Sequence, residues 1–172
     1  MSGENSAFDL LHKNIQQWIY KNGWEELRPA QVESIKEIRQ TSNNLIICSP
    51  TASGKTEAAM LPLISELLEK NIYEKSYIVY ISPLKALIND QFTRLESLCK
   101  DNDICVVPWH GDISSSIKKK IEKNNQAILL ITPESLEAML INTPIKAKLI
   151  FKHAISLVID EFHSFLGNDR GD

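Results

Sequence analysis

Cysteine is scarce in this chain, and none of it is placed where a disulfide scaffold or a metal site would need it. The three cysteines, Cys48, Cys99 and Cys105, are odd in number and lack metal-type spacing. They exclude a disulfide framework and a zinc site, and they read as reduced, buried thiols, two of them inside apolar strand-like runs. No internal repeat or low-complexity linker interrupts the 172 residues. A net charge of −3 and a pI near 5.8 exclude a globally basic surface, so any contact with nucleic acid must come from a local patch. The opening residues MSGENSAFDLLHKN have neither a basic region nor a long apolar core, and the longest apolar runs are strand-sized. Neither an export signal nor a membrane span is expected, and a cytoplasmic location is.

What the chain does have is 43% hydrophobic residues against 24% charged ones, enough for one globular core and too little length for two ordinary domains. From Ser6 to Tyr20 the residues Ala7, Phe8, Leu10, Leu11, Ile15, Trp18 and Ile19 recur at helical spacing, and Asn22-Gly23 follows as a stop. One amphipathic helix is predicted there. A second begins at Pro29, suited to a first helical position, and carries Ala30, Val32, Ile35 and Ile38 up to the polar break Thr41-Ser42-Asn43-Asn44.

Short apolar runs follow at Leu45–Cys48, Tyr77–Ile81, Ile104–Val107, Ala127–Ile131 and Ile155–Ile159. They lack in/out alternation, as strands buried on both faces do, and helical segments such as Thr56–Glu69, Leu84–Leu98 and Pro133–Ile141 fill gaps between them. This βαβ pattern predicts an α/β fold, a parallel sheet with helices on both faces. The basic cluster Ile117-Lys118-Lys119-Lys120-Ile121-Glu122-Lys123 reads as a solvated helix face in preference to a nucleic-acid contact.

The run at Leu45–Cys48 leads into Ser49-Pro50-Thr51-Ala52-Ser53-Gly54-Lys55-Thr56. Strand, loop and helix come in the order a phosphate-binding loop requires. Backbone N–H groups over Thr51, Ala52 and Ser53 can wrap phosphates, and Gly54 lets the backbone approach them. Lys55 reaches the β and γ phosphates, and Thr56 can place its hydroxyl on Mg2+ at the helix N-terminus. The glycine usual at the Ser49 position is missing, so Gly54 is the one glycine of the loop. Ala52 is tolerable unless its backbone must take a positive φ.

The run Ile155–Ile159 delivers Asp160 and Glu161 at the carboxyl end of a strand, where open α/β sheets bind their ligands. Asp160 is placed to hold Mg2+, and Glu161 to orient and deprotonate an attacking water. Alone, such a pair is ordinarily an acidic helix start favoured by the dipole. With the phosphate loop upstream it points to hydrolysis of a nucleoside triphosphate.

These residues resemble a known family, the DExD/H-box ATPases of helicase superfamily 2, over the chain from about Trp24 to its end. LRPAQ, with Gln31, resembles the family's adenine-reading glutamine motif, and PTASGKTEAAMLP resembles motif I. SPLKALINDQ is similar to motif Ia, Gly111-Asp112 to the glycine-containing segment after it, TPESL to motif Ib and DEFH to motif II. SPLKALINDQ, HGD, TPESL and DEFHSFLGNDRG are most similar to the large helicase-related (Lhr-like) branch. His163 and Glu134 depart from the DEAD-box RNA branch, so DNA translocation is favoured over RNA unwinding.

The resemblance implies a helical segment with the glutamine motif at residues 1–42 and a partial RecA-like ATP-binding domain at residues 43–172, using ATP and Mg2+. It places Arg28 and Gln31 at the adenine, Lys55, Asp160 and Glu161 at the chemistry, and Thr56 and Asp160 at the metal. By the same resemblance His163 couples the ATP site to the neighbouring domain or to motif III. Pro83, Lys85, Gly111, Asp112, Thr132, Pro133 and Glu134 face a nucleic-acid strand.

Each assignment has an ordinary counterpart. Gln31 has both an acceptor and a donor for an adenine edge, yet it can be a solvent-facing helix residue. Trp24 can pack beside the base or belong to the core, and the core is favoured. Thr132-Pro133 is also an N-cap followed by proline at the first helical position, and a capped N-terminus is itself an anion site. Lys85 is either a surface charge or a contact to a nucleic-acid backbone. His110 carries no assigned chemistry.

Family members hydrolyse ATP between two RecA-like domains, the second of which supplies arginine fingers worth about 10³–10⁵ in rate in general. The resemblance also implies a motif III strand between the phosphate-loop strand and the motif II strand. Neither that strand nor the second domain is within the 172 residues. The chain is therefore expected to be an N-terminal fragment, a truncated product, or a half completed by a second RecA-like domain in cis or in trans. Backbone groups beside the missing strand should be unpaired or re-paired. Two other functions compete: a non-cycling remnant or regulatory module that binds nucleic acid or a partner, and a P-loop kinase. The kinase reading has no use for the glutamine motif or for the SPLKAL and TPES segments.

Overall fold

The computed structural model describes residues 6–50 and 53–166. The chain forms two compact units, Met1–Asn71 and Ile72–Asp172.

The described part of the first unit is helical. It opens with a 3-10 turn, Ala7–Leu10, closed by a capping box in which Ser6 and Asp9 bond reciprocally. Leu11 then runs extended, and α1 (Lys13–Lys21) begins behind His12, whose Nδ1 accepts the Asn14 N–H at 3.2 Å. The single helix predicted over Ser6–Tyr20 is thus two pieces. Two local caps, each satisfying N–H groups that a helix start leaves unpaired, override an unbroken apolar period. α2 (Pro29–Gln40) starts at its proline, and α3 (Lys55–Glu69) starts behind Gly54. Ile15, Ile19, Ile35, Ala58, Leu61 and Ile64 are buried, and the Ser65 hydroxyl accepts the His12 N–H at 3.0 Å.

One predicted strand does not form. Leu45–Cys48 takes no strand pairing, Ile46 is 79% exposed, and Cys48 is exposed where a buried thiol was expected. An apolar run becomes a strand only where another strand accepts from its N–H groups and donates to its C=O groups, and no described strand pairs with this run.

The second unit carries a four-stranded parallel sheet in the order β2-β3-β1-β4, built from β1 (Ser76–Ile81), β2 (Cys105–Trp109), β3 (Gln126–Ile131) and β4 (Ala154–Ile159). The intervening helices are α4 (Lys85–Cys99), the short α5 (Ser115–Lys118) and α6 (Lys120–Lys123), α7 (Pro133–Asn142) and α8 (Pro144–Lys152). β1 and β3 are buried at every position, the condition that produced their lack of alternation. Tyr77, Val79, Ile81, Leu129 and Ile131 pack with Ile121 of α6, Met139 of α7 and Ala147 and Ile150 of α8. Lys119, Lys120 and Lys123 are exposed, as a solvated face requires.

β4 is an edge of this sheet, and it is less covered than its neighbours. Leu157 is 56% and Ile159 42% exposed, and Phe162 and Leu166 after it are exposed as well. No described helix is long and apolar enough to cross a membrane.

Candidate functional site

In the first unit, the turn into α3 is made by Gly54, the N-cap, at φ 86 and ψ 31. A side chain is disfavoured there twice over. The left-handed conformation is strained for an L-residue, and a Cβ would lie 2.6 Å from Gln31 Nε2. Gln31 is 2% exposed, and its Oε1 accepts the Arg28 N–H at 2.9 Å. Gln31 is therefore packed against the Gly54 turn, with Arg28 Nη1 and Glu57 Oε2 each 3.6 Å from the same Cβ position. This separates Gln31 from a merely solvent-facing helix residue.

Lys55 folds back over its own loop. Its Nζ donates to the carbonyls of Ser49 at 2.8 Å and Pro50 at 3.2 Å, and Ser53 and Ser49 share a hydroxyl hydrogen bond. An ammonium resting on carbonyl oxygens is a cation held where phosphate oxygens can displace those carbonyls. Thr56, in the first turn of α3, is half-buried. Thr51 and Ala52 lie outside the described residues. Trp24 is half-buried and stands edge-on to Trp18 at 5.6 Å, so it is only in part a core residue.

In the second unit, Asp160 follows β4, and both of its oxygens are engaged. Tyr80 Oη donates to Oδ2 at 2.7 Å, and the Glu161 N–H donates to Oδ1 at 2.9 Å. Each oxygen keeps a further lone pair, which suits a metal such as Mg2+ that retains water and takes only one or two carboxylates. No cluster of three or more metal-ligating side chains occurs among the described residues, and Mg2+ bound with phosphates does not need one. Glu161 is exposed and sits at φ 49, a left-handed conformation that is rare for a residue with a side chain. His163 is exposed, with Nδ1 3.4 Å from Glu161 Oε2.

Tyr80 belongs to none of the sequence motifs. It stands in an apolar strand and is 1% exposed. A phenol so placed must find a partner, and that rule was the available signal.

The remaining predicted residues gather at the carboxyl ends of β1, β2 and β3. Lys85 opens α4, and its Nζ donates to Asp112 Oδ2 at 2.9 Å. The Lys85 ammonium, first by its hydrogen bond and then by its charge, holds the Asp112 carboxyl below the usual carboxylate range. The Ser82 N–H donates to the Ile131 carbonyl at 3.0 Å, which sets the end of β1 beside Thr132. Thr132 is buried and caps α7, its hydroxyl accepting the Ser135 N–H at 3.3 Å. Pro133 takes the first helical position and Glu134 is exposed. Pro83 is buried, so its segment presents Lys85 to the surface and withholds the proline ring. The Ser82 hydroxyl is fully buried with no hydrogen-bond partner among the described residues.

Residues 28–172 match the DEAD/DEAH box helicase family. The chain belongs to that family. It is 34% identical over 98% of its length to the ATP-dependent helicase Lhr-Core of Methanocaldococcus jannaschii, and 32% identical over 92% to the ATP-dependent DNA helicase Hel308 of Methanococcus vannielii. It spans about a fifth of each of these relatives, 21% and 20%. Among solved structures, this helicase domain superposes on the helicase MrfA bound to DNA and AMPPNP with TM-score 0.78 and 24% identity, covering 91% of this chain and 22% of that one. It superposes on the DEAD-box helicase Mss116 bound to ssRNA and UDP-BeF with TM-score 0.81 and 21% identity, covering 97% of this chain and 35% of that one. The likeness establishes the fold as the RecA-like helicase domain.

Proposed function

We propose that this helicase domain is the ATP-binding half of an ATP-dependent translocase that acts on DNA in preference to RNA. The observation that carries the reading is the left-handed Gly54 turn, with Lys55 folded over the loop and Gln31 packed against it. Such a turn presents backbone N–H groups at the start of a helix, a ready anion site, and supplies an ammonium for the β and γ phosphates. Arg28 and Gln31 serve the adenine. Thr56 and Asp160 are the residues to hold Mg2+, which neutralises charge developing on the phosphates. Glu161 orients and deprotonates the attacking water, and His163 couples this site to the neighbouring domain.

On this reading the nucleic acid runs past the ends of β1, β2 and β3, with Lys85 and the N-termini of α4 and α7 as its contacts. Backbone contacts of this kind position a strand without reading its sequence. The preference for DNA rests on the relatives, since Hel308 is named a DNA helicase and MrfA is described bound to DNA. A second RecA-like domain, in cis or in trans, supplies the arginine fingers, in keeping with the fraction of its relatives that this chain spans.

A second reading, binding without turnover, is favoured by Leu45–Cys48 taking no strand pairing among the described residues. Titration with a fluorescent ATP analogue, with Lys55→Ala as control, tests the main reading. Saturable, Lys55-dependent binding is expected, and binding that is undetectable or indifferent to Lys55 would refute it. Hydrolysis stimulated by single-stranded DNA more than by RNA, once a second domain is present, separates a motor from a non-cycling module.

A further inference from the structure

We propose that Asp112 is an internal competitor for nucleic-acid phosphate at Lys85, so that a strand enters this site only by displacing a carboxylate already bound there. The inference rests on the reading of this face as the nucleic-acid interface. It gives Asp112 the opposite role to that of a contact residue.

An acidic side chain beside a phosphate backbone repels it, so a role as a direct contact sits poorly with its charge. The geometry provides another. Asp112 Oδ2 lies 2.9 Å from Lys85 Nζ, and the same oxygen lies 3.9 Å from Nδ1 of His110, which is 3% exposed. His110 is in turn tied to α4, its Nε2 being 3.3 Å from Asn89 Oδ1. Lys85 and Asn89 are one turn apart and share a helix face, so one side of α4 holds both the lysine and the histidine that flank this carboxylate.

The pair lies at the surface, with side chains 53% and 72% exposed, within reach of a strand. Around it the fold prepares for an anion. α4 and α7, of 15 and 10 residues, both begin here, and the buried Ser82 hydroxyl lacks a partner among the described residues. The carboxylate of Asp112 is the anion that Lys85 already holds.

An exposed ion pair of this kind contributes little to folding. Its consequence lies in binding. When phosphate takes Lys85, Asp112 is left to solvent cations and to His110, so the net release of counterions is smaller than for a free lysine.

The test is equilibrium binding of a fluorescent single-stranded oligonucleotide across a salt series, with the full chain and its Asp112→Asn, Asp112→Ser, Lys85→Ala and Lys85→Ala/Asp112→Asn variants. Thermal melts establish that each variant is folded. Removal of the carboxylate is expected to tighten binding about two- to fivefold, the range of an exposed ion pair. It should also steepen the dependence of log K on log salt by about 0.7. The double variant should bind like Lys85→Ala alone. If Lys85→Ala weakens binding while neither Asp112 variant strengthens it, the competitor role is wrong and the interface stands. If Lys85→Ala changes nothing, the interface reading fails and the competitor role with it.

Discussion

Tyr80 Oη donates to Asp160 Oδ2 at 2.7 Å across the pairing of β1 with β4. A phenol from one strand thereby fixes the carboxylate that ends the next, and it orients the residue assigned to Mg2+.

Tyr80→Phe removes a hydrogen bond to a charged acceptor from a buried position. Stability is expected to fall by about 1.5–3 kcal/mol, read from urea unfolding. Mg2+-dependent binding of an ATP analogue should weaken, and binding without Mg2+ should not. An equal loss in both would show that Tyr80 supports the fold alone.

Gly54→Ala places a methyl group at φ 86, against Gln31 Nε2. The left-handed strain alone costs about 1–2 kcal/mol, and analogue binding should be lost with it. Gly23→Ala is the matched control, because Gly23 also has a positive φ, 68, but nothing within 4 Å of its Cβ position. It should lower the melting temperature without touching nucleotide binding, as measured by thermal melts and titration.

The thiols should separate by reactivity. Burial pushes the Cys99 thiol up to about 12, and burial also raises that of half-buried Cys105, whereas Cys48 is exposed. Only a thiolate alkylates readily. Timed iodoacetamide labelling with mass spectrometry should modify Cys48 first and leave Cys99 unmodified until denaturant is added. Early labelling of Cys99 would place it outside the core.

The edge of β4 should make the isolated chain associate as concentration rises, since Leu157 and Ile159 accompany an open row of backbone groups. Leu157→Lys puts a charge on that edge and should suppress the association, measured by light scattering. Unchanged association would locate the sticky surface elsewhere.

Much of this is legible in the amino-acid sequence. β1 and β3 were legible because a strand buried on both faces has a continuous apolar run, and α2 because Pro29 marks its start. Gly54 and Lys55 were legible because their chemistry is local to one loop. The Tyr80 contact was not, since its partner lies 80 residues away and nothing in the strand itself names an acceptor. The break at Leu11 and His12 was hidden for a different reason, because the apolar period runs straight through two competing caps.

The amino-acid sequence by itself determined the Gly54-Lys55 turn into a helix, the acidic pair after a strand, the positions of the four strands that form the sheet and the family, since each is a matter of residue type and short spacing. Only the tertiary structure decided that β1 lies between β3 and β4, that Tyr80 holds Asp160, that Asp112 occupies Lys85, and that Leu45–Cys48 stays out of the sheet. The physical reason is common to all four. A hydrogen-bond donor, an ammonium or a strand edge is completed by a partner distant in sequence, and its own residues say only that a partner is required.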